Sequence, residues 1–173
     1  MSRTDKPARS KRYLNKENIM ESMVHVKDCF DNAELLAILA ECVFDPTPER
    51  LKSRVRKYMT SPQTSIHAYK QNGLYAGIIV VDTSKSKQIE ILEIAVRKEL
   101  QRSGAGRKMI DFCTREFKPD IILAETDDGA VEFYSKVGFS IQSLGDKYGS
   151  GINRYLCTLP VIHTKTKKRG YSE

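Results

Sequence analysis

The most constraining feature of this chain is an abrupt change of period between residues 88 and 126. "QIEILEIAV" (88–96) is an apolar, strand-like run, and "LQRSGAGRKM" (100–109) sets two glycines and an alanine where it gives way to a basic segment. "AGRKMIDFCTREF" then places Met109, Ile110, Phe112, Cys113 and Phe117 largely on one helical face, and "DIILAET" (120–126) is apolar again. A strand, a crossover helix and a second strand make parallel neighbours in one sheet. A helix that starts directly after a central strand also exposes its first N–H groups and the positive end of its dipole at the strand's carboxyl edge. That is an anion site. Gly104 and Gly106 remove side chains that would hold a phosphate off the backbone, and Gln101, Arg102, Arg107 and Lys108 add donors or charge.

The flanking elements are legible by the same means. "SMVHVKD" alternates as a short strand, "DNAELLAILAECVF" is an amphipathic helix with Asp31 or Asn32 as cap, and "DPTPERLKSRVRKYM" is a second helix with Thr47 as cap and Pro48 at its first position. Asn72-Gly73 suits a tight hairpin turn between "SIHAYKQ" and "LYAGIIVVDTS". After "DIILAET" come a short helix, "DGAVEFYSKVGF", closed by Gly138, and two strands, "SIQSLGDKY" and "INRYLCTLP". The expected fold is α/β (mixed α+β): order β-α-α-β-β-β-α-β-α-β-β, about seven strands in a mixed, mostly antiparallel twisted sheet, and helices on both faces.

Charge decides less than it first suggests. The net charge is +7, yet residues 1–16 hold six Lys/Arg against one Asp and residues 161–173 hold four against one Glu. The ends thus carry +8 and leave the body near −1, which argues against a basic nucleic-acid groove built into the fold. The division expected is a basic, flexible extension over 1–19, one domain over 20–160 and a basic tail over 161–173. Nucleic acid, ribosome or membrane-surface contact is left to the tails alone. Cys29, Cys42, Cys113 and Cys157 form no CxxC pair and have no nearby His, so they are expected as reduced, mostly buried thiols with no metal. No apolar run approaches the roughly 18 residues of a membrane span, and a cytoplasmic location is the default expectation.

Three phosphate-cradling patterns compete for the glycine stretch. Arg107-Lys108-Met109 after Gly106 leaves no Ser/Thr for a Walker A loop, and Met109 stands where a dinucleotide fingerprint needs its third glycine. What remains is Gln-x-x-Gly-x-Gly at a helix start, which taken alone also fits a plain tight turn. Gln101-Arg102-Ser103-Gly104-Ala105-Gly106 resembles the [Gln/Arg]-x-x-Gly-x-[Gly/Ala] acetyl-CoA signature of the GNAT acyltransferase superfamily, and "AVEFYSKVGF" (130–139) resembles that family's A-x-x-F-Y-x-K-x-G-F helix. The resemblance spans about residues 22–160. "IEILEIAV" with "ETDDGAVEFYSKVGF" is similar to bacterial members whose acceptors are often unassigned.

The resemblance implies an acetyl-CoA-dependent N-acetyltransferase without metal, acting by direct transfer in a ternary complex. Strand 88–96 would bulge and splay from strand 120–126, pantetheine would pair with main chain at Ile94, Ala95 and Val96, and pyrophosphate would rest on residues 102–107. Ser103, Ala105 and Lys136 belong to the two motifs that carry the cofactor. Tyr134 stands where the family places the phenol that protonates the leaving thiolate. Its hydroxyl keeps its proton to about pH 10. Two carboxylates, Glu90 and Glu93, are candidates for proton acceptor; Glu90 falls on the position of the catalytic glutamate in histone-type relatives and Glu93 lies nearer the expected thioester. By alternation they face opposite sides, unless the bulge alters the phase. Where the family often has a cofactor-contacting Asn, this chain has Asp127, followed by Asp128, and a helix-capping role competes with cofactor contact there. His25, His67 and His163 show no partner pattern. Asp45, Glu49, Asp146 and Tyr148 are candidates to attract a cationic amine. The acceptor is a small-molecule or peptide amine, the assembly a monomer or homodimer. The rival function is a non-catalytic module that senses acyl-CoA or docks on RNA or ribosomes by its tails.

Overall fold

In a computed structural model, residues 19–163 are described; the basic segments read from the sequence lie almost wholly outside them. Seven strands form one sheet: β1 (Glu21–His25), β2 (Thr64–Gln71), β3 (Leu74–Asp82), β4 (Gln88–Val96), β5 (Ile121–Asp127), β6 (Ser140–Gly145) and β7 (Arg154–Pro160), in the spatial order β1-β2-β3-β4-β5-β7-β6. Every pairing is antiparallel except β4 with β5, which is parallel as the crossover demands. Four α-helices complete the expected order: α1 (Ala33–Ala40), α2 (Pro48–Thr60), α3 (Ala105–Phe117) and α4 (Val131–Val137).

Local chemistry explains the boundaries. Asn32 caps α1 by accepting from the Glu34 N–H, and Thr47 caps α2 by accepting from the Arg50 N–H with Pro48 just inside. Asn72 and Gly73 take φ of 51° and 83°, the left-handed pair that joins β2 to β3 in two residues. α1 is shorter than its apolar spacing suggests. It ends at Ala40, and Val43 is buried from the loop beyond it, ahead of Asp45 (φ 48°) and Pro46, which turn the chain into α2.

The sheet is buried on both sides, so its central strands carry apolar residues at successive positions. Ile78 and Val80 of β3 pack with Phe30, Leu35, Ile38, Leu39, Val55 and Tyr58 beneath α1 and α2. Ile79 and Val81 pack with Met109, Ile110 and Cys113 of α3 and Tyr134 of α4 on the opposite face. Each of the fully buried aliphatic side chains contributes about 1.5–3 kcal/mol, and the two cores clamp β3 and β4 between them. The cysteines are free thiols: Cys113 and Cys157 are buried as expected, Cys42 is half-buried, and Cys29 is exposed because its short 3-10 turn buries no side chain. His25 and His67 lie directly opposite each other in register, ring centroids 5.2 Å apart, a cross-strand pair that sequence spacing did not reveal. No helix among the described residues is long and apolar enough to cross a membrane.

Candidate active site

The site begins at a fault in β4. Val80 of β3 pairs with Glu93 and Val81 with Ile91, which leaves Leu92 as an extra residue. The bulge changes the side-chain phase. Ile89 and Ile91 face the α3 core, then Leu92, Glu93 and Ala95 turn to the α1/α2 side, and Ile94 and Val96 return to the α3 side. Strict alternation would put Glu90 and Glu93 on opposite faces; the extra residue brings both to the α1/α2 face. The β4–β5 ladder runs only from Gln88/Ile121 to Ile91/Ala124, so beyond the bulge Leu92–Val96 keep β3 on one side and leave the edge toward β5 open.

At the end of that open edge lies the glycine loop. Arg102 has φ of 62°, and Gly104, the residue before α3, has φ of 88°, which strains any residue with a Cβ. No side chain caps α3 and no acid lies in its first turn, so its leading N–H groups remain available to an anion. Gly106 has a second reason to be glycine: a Cβ there would stand 2.8 Å from the Phe133 ring of α4, so the two helices meet where it lacks a side chain. Gln101 donates to the Val96 carbonyl at 3.2 Å, joining the loop to the open strand. The nearby cations are partly engaged. Arg107 donates to the Lys136 carbonyl at 2.8 Å, Lys136 pairs with Glu132 at 2.6 Å, and Lys108 turns away to Glu21 on β1. Arg102, Ser103 and Ala105 remain in the loop or first turn, with Ala105 buried.

Tyr134 is 4% exposed, packed edge-on between Phe133 and Phe139 at centroid distances of 5.1 and 5.2 Å. Burial pushes its hydroxyl well above the ordinary tyrosine value, and Cys157, Cys42 and Glu93 act in the same direction. It therefore holds a proton at neutral pH. Glu93, 6% exposed, accepts at Oε1 from the Tyr58 hydroxyl at 2.6 Å and from the Arg54 guanidinium, and at Oε2 from the Cys42 thiol at 3.4 Å. Burial and the adjacent carboxylate together raise the Tyr58 and Cys42 groups, while Arg54 is held charged by Glu93 although burial opposes it. Glu90 is exposed on the paired half of β4, opposite Asp82 and Leu123.

The remaining candidates are placed differently from expectation. The Asp127 carboxylate holds a turn by accepting from the Gly129 N–H at 2.9 Å and meets Arg154 at 3.5 Å; Asp128 accepts from Tyr155 at 2.6 Å. Neither caps α4, whose N-cap is Ala130, without a side-chain bond. Asp45 is paired with Arg50 at 3.0 Å, and Asp146 accepts from the Ser150 and Gly151 N–H groups, so these acids have partners already. Tyr148 donates to Glu125 at 2.8 Å. Burial opposes the charge on Glu125, but Lys147, Tyr148 and Arg154 together hold its carboxyl below the usual range. Arg54, Tyr58 and Glu125 were not singled out from sequence; the four-residue spacing of Arg54 and Tyr58, one face of a helix, was the available signal. No cluster of metal-ligating side chains occurs among the described residues.

The arrangement combines an open strand edge, an uncapped helix start, a buried phenol and a buried carboxylate, and comparison with known proteins is consistent with it. No curated protein matches the sequence. Among solved structures, the chain is similar to the ribosomal-protein-S18-alanine N-acetyltransferase from Escherichia coli, at 17% identity over 86% of this chain and 98% of that one, TM-score 0.64. It is also similar to a Bacillus subtilis acetyltransferase in complex with CoA, at 20% identity over 83% and 100%, TM-score 0.61. A GNAT-family acetyltransferase from Elizabethkingia anophelis with acetyl-CoA bound is 20% identical over 84% and 100%, TM-score 0.60. These likenesses establish the fold. The model of the Acetyltransferase (GNAT) domain matches residues 43–152, well over half of the sequence, and the chain belongs to the GNAT acetyltransferase family.

Proposed function

We propose that this acetyltransferase moves the acetyl group of acetyl-CoA to a primary amine by direct transfer in a ternary complex. The observation that carries the reading is the opening of β4 from β5, with the uncapped start of α3 at one end and Tyr134 and Glu93 beside it. The thioester supplies the activated acetyl group. The N–H groups of residues 102–107 receive the pyrophosphate, and the open edge at Ile94, Ala95 and Val96 takes the pantetheine amides. Glu93 is the favoured proton acceptor, with Glu90 second, because Glu93 sits at the opening and is buried. Glu93 takes one proton from the incoming ammonium and later returns it to solvent. Tyr134 gives its hydroxyl proton to the departing sulfur and recovers the second proton from nitrogen, as the C–N bond forms and the C–S bond breaks.

The test has two stages. Thermal unfolding is followed against acetyl-CoA, with ATP and NAD as controls; acetyl-CoA at 100 times its dissociation constant adds about 2.7 kcal/mol to the folded state. Thiol release with an amine panel follows. Tyr134→Phe is expected to lower turnover at saturating acceptor about 100-fold while leaving acetyl-CoA affinity within about twofold. Unchanged turnover removes Tyr134 from the chemistry. A thermal shift without thiol release from any amine supports an acyl-CoA-sensing module instead.

A further inference from the structure

We infer that the acceptor is a zwitterion, a small amine that also carries a carboxylate and an apolar side chain, and that Arg54 exchanges Glu93 for that carboxylate when the acceptor enters. The inference rests on the acetyl-transfer reading. An open cleft of 390 Å³ is lined by Val43, Phe44, Arg50, Ser53 and Arg54, and Arg54 joins it to the Glu93 carboxylate. Arg50 is held by Asp45 at 3.0 Å, so the Arg54 guanidinium and the Ser53 hydroxyl are what the cleft offers an anion. Val43 and Phe44, the latter 80% exposed, give the same cleft an apolar wall.

Charge accounting selects the ligand class. Glu93 is buried but Arg54 is 44% exposed, so of the two ion-pair partners Arg54 is the one free to move. A plain amine or a diamine arriving at Glu93 would lie against the Arg54 guanidinium as a like charge. A free carboxylic acid would satisfy Arg54 but bring no nucleophile. An ammonium with a carboxylate on the neighbouring carbon fits both: the ammonium takes Arg54's place on Glu93, the carboxylate takes Glu93's place on Arg54, and no charge is left without a partner. Tyr58 and Cys42 stay on Glu93 throughout and keep it in place at the bulge. The exchange also places the nitrogen against the proton acceptor, so recognition of the carboxylate and deprotonation of the amine become one event.

The experiment compares matched pairs on the full chain: phenylalanine with phenethylamine and leucine with isopentylamine, with putrescine as the diamine, by thiol release. The wild type is expected to use each amino acid at least about tenfold better in kcat/KM than its decarboxylated partner, the value of a charge-assisted contact. Arg54→Gln is expected to collapse that ratio to within about twofold, and Arg54→Lys to leave an intermediate ratio. Equal use of the pairs by the wild type, a preference for putrescine, or an Arg54→Gln ratio that equals the wild-type ratio overturns the inference. Acetyl-CoA-dependent thermal shifts on the same samples separate the failures. A preserved shift with no amino acid acetylated overturns the acceptor class alone, and a missing shift overturns the acetyl-transfer reading with it.

Discussion

Helices α2 and α3 are each thirteen residues long and lie on opposite faces of one sheet, yet their ends and sides are built in opposite ways. The start of α2 is closed by the Thr47 hydroxyl, Pro48 and the first-turn acid Glu49, whereas α3 starts from a bare left-handed glycine. α3 buries Ala105, Gly106, Met109, Ile110 and Cys113; α2 buries only Val55 and Tyr58 and exposes Arg50, Lys52, Arg54, Arg56 and Lys57. The α3 side presents bare backbone N–H groups, which a glycine and a missing cap suffice to provide. The α2 side presents long side chains, whose effect depends on what each one meets. The lesson is that one face is specified by conformation and the other by partnership.

Substitutions separate the two kinds of construction. The largest expected effect is on the α2 side: Glu93→Leu leaves Arg54 and the Tyr58 hydroxyl without their acceptor and should cost about 3 kcal/mol in urea unfolding, the low end for a buried pair because Arg54 is half-exposed. A loss below about 1 kcal/mol would mean the pairing contributes little to the fold. Next comes Gly106→Val on the α3 side, which drives a side chain into Phe133 and should cost about 2 kcal/mol. Adding Phe133→Ala should recover part of this loss, and simple additivity of the two changes would show that the helices do not meet there.

A loss of about 1.5 kcal/mol by about pH 5.5 is expected from His67, which packs against Phe112 of α3 and His25. Burial, then His25, lowers its pKa to about 4 from 6.5. The unfolded chain takes up a proton below about pH 6.5 that the folded chain refuses until about pH 4, so stability is full above 6.5 and declines as pH falls through that window. His67→Phe should flatten this part of the curve; an unchanged curve assigns the decline to other groups. The smallest effect belongs to Glu132→Gln, which removes an ion pair exposed at both ends, and no measurable change in Tm is expected.

Conformation was legible in the sequence and partnership was not. Thr47-Pro48, Asn72-Gly73 and Gly104 each announce a local backbone state, and each adopts it. The parallel β4–β5 pair follows from the crossover, and the motif around Tyr134 leads to a buried phenol in the core on the α3 side. The phase of Glu93 was open because the bulge depends on β4's register with β3, which no local pattern encodes. Arg54 was missed for a related reason. Within "ERLKSRVRK" it looks like any other solvated charge, and only packing brings it to a carboxylate 39 residues away. Asp127 shows the reverse error: a carboxylate just before a helix suggests a cap, but a turn at Gly129 and a strand arginine claim it first.

The bulge at Leu92 makes the register of β4 a determinant of its chemistry. A strand has only two side-chain parities, and a bulge lets it take in one extra residue without exchanging them for everything that follows. Running β4 without the bulge but with Leu92 retained would carry the acid at 93 to the α3 side and send the aliphatic residues at 94 and 96 toward Arg54, whereas deleting Leu92 would set Glu93 directly after Ile91 and leave both faces as they are. In β4 the choice between an acidic and a greasy lining beside Arg54 is thus held by one irregular backbone turn and not by the identity of any side chain.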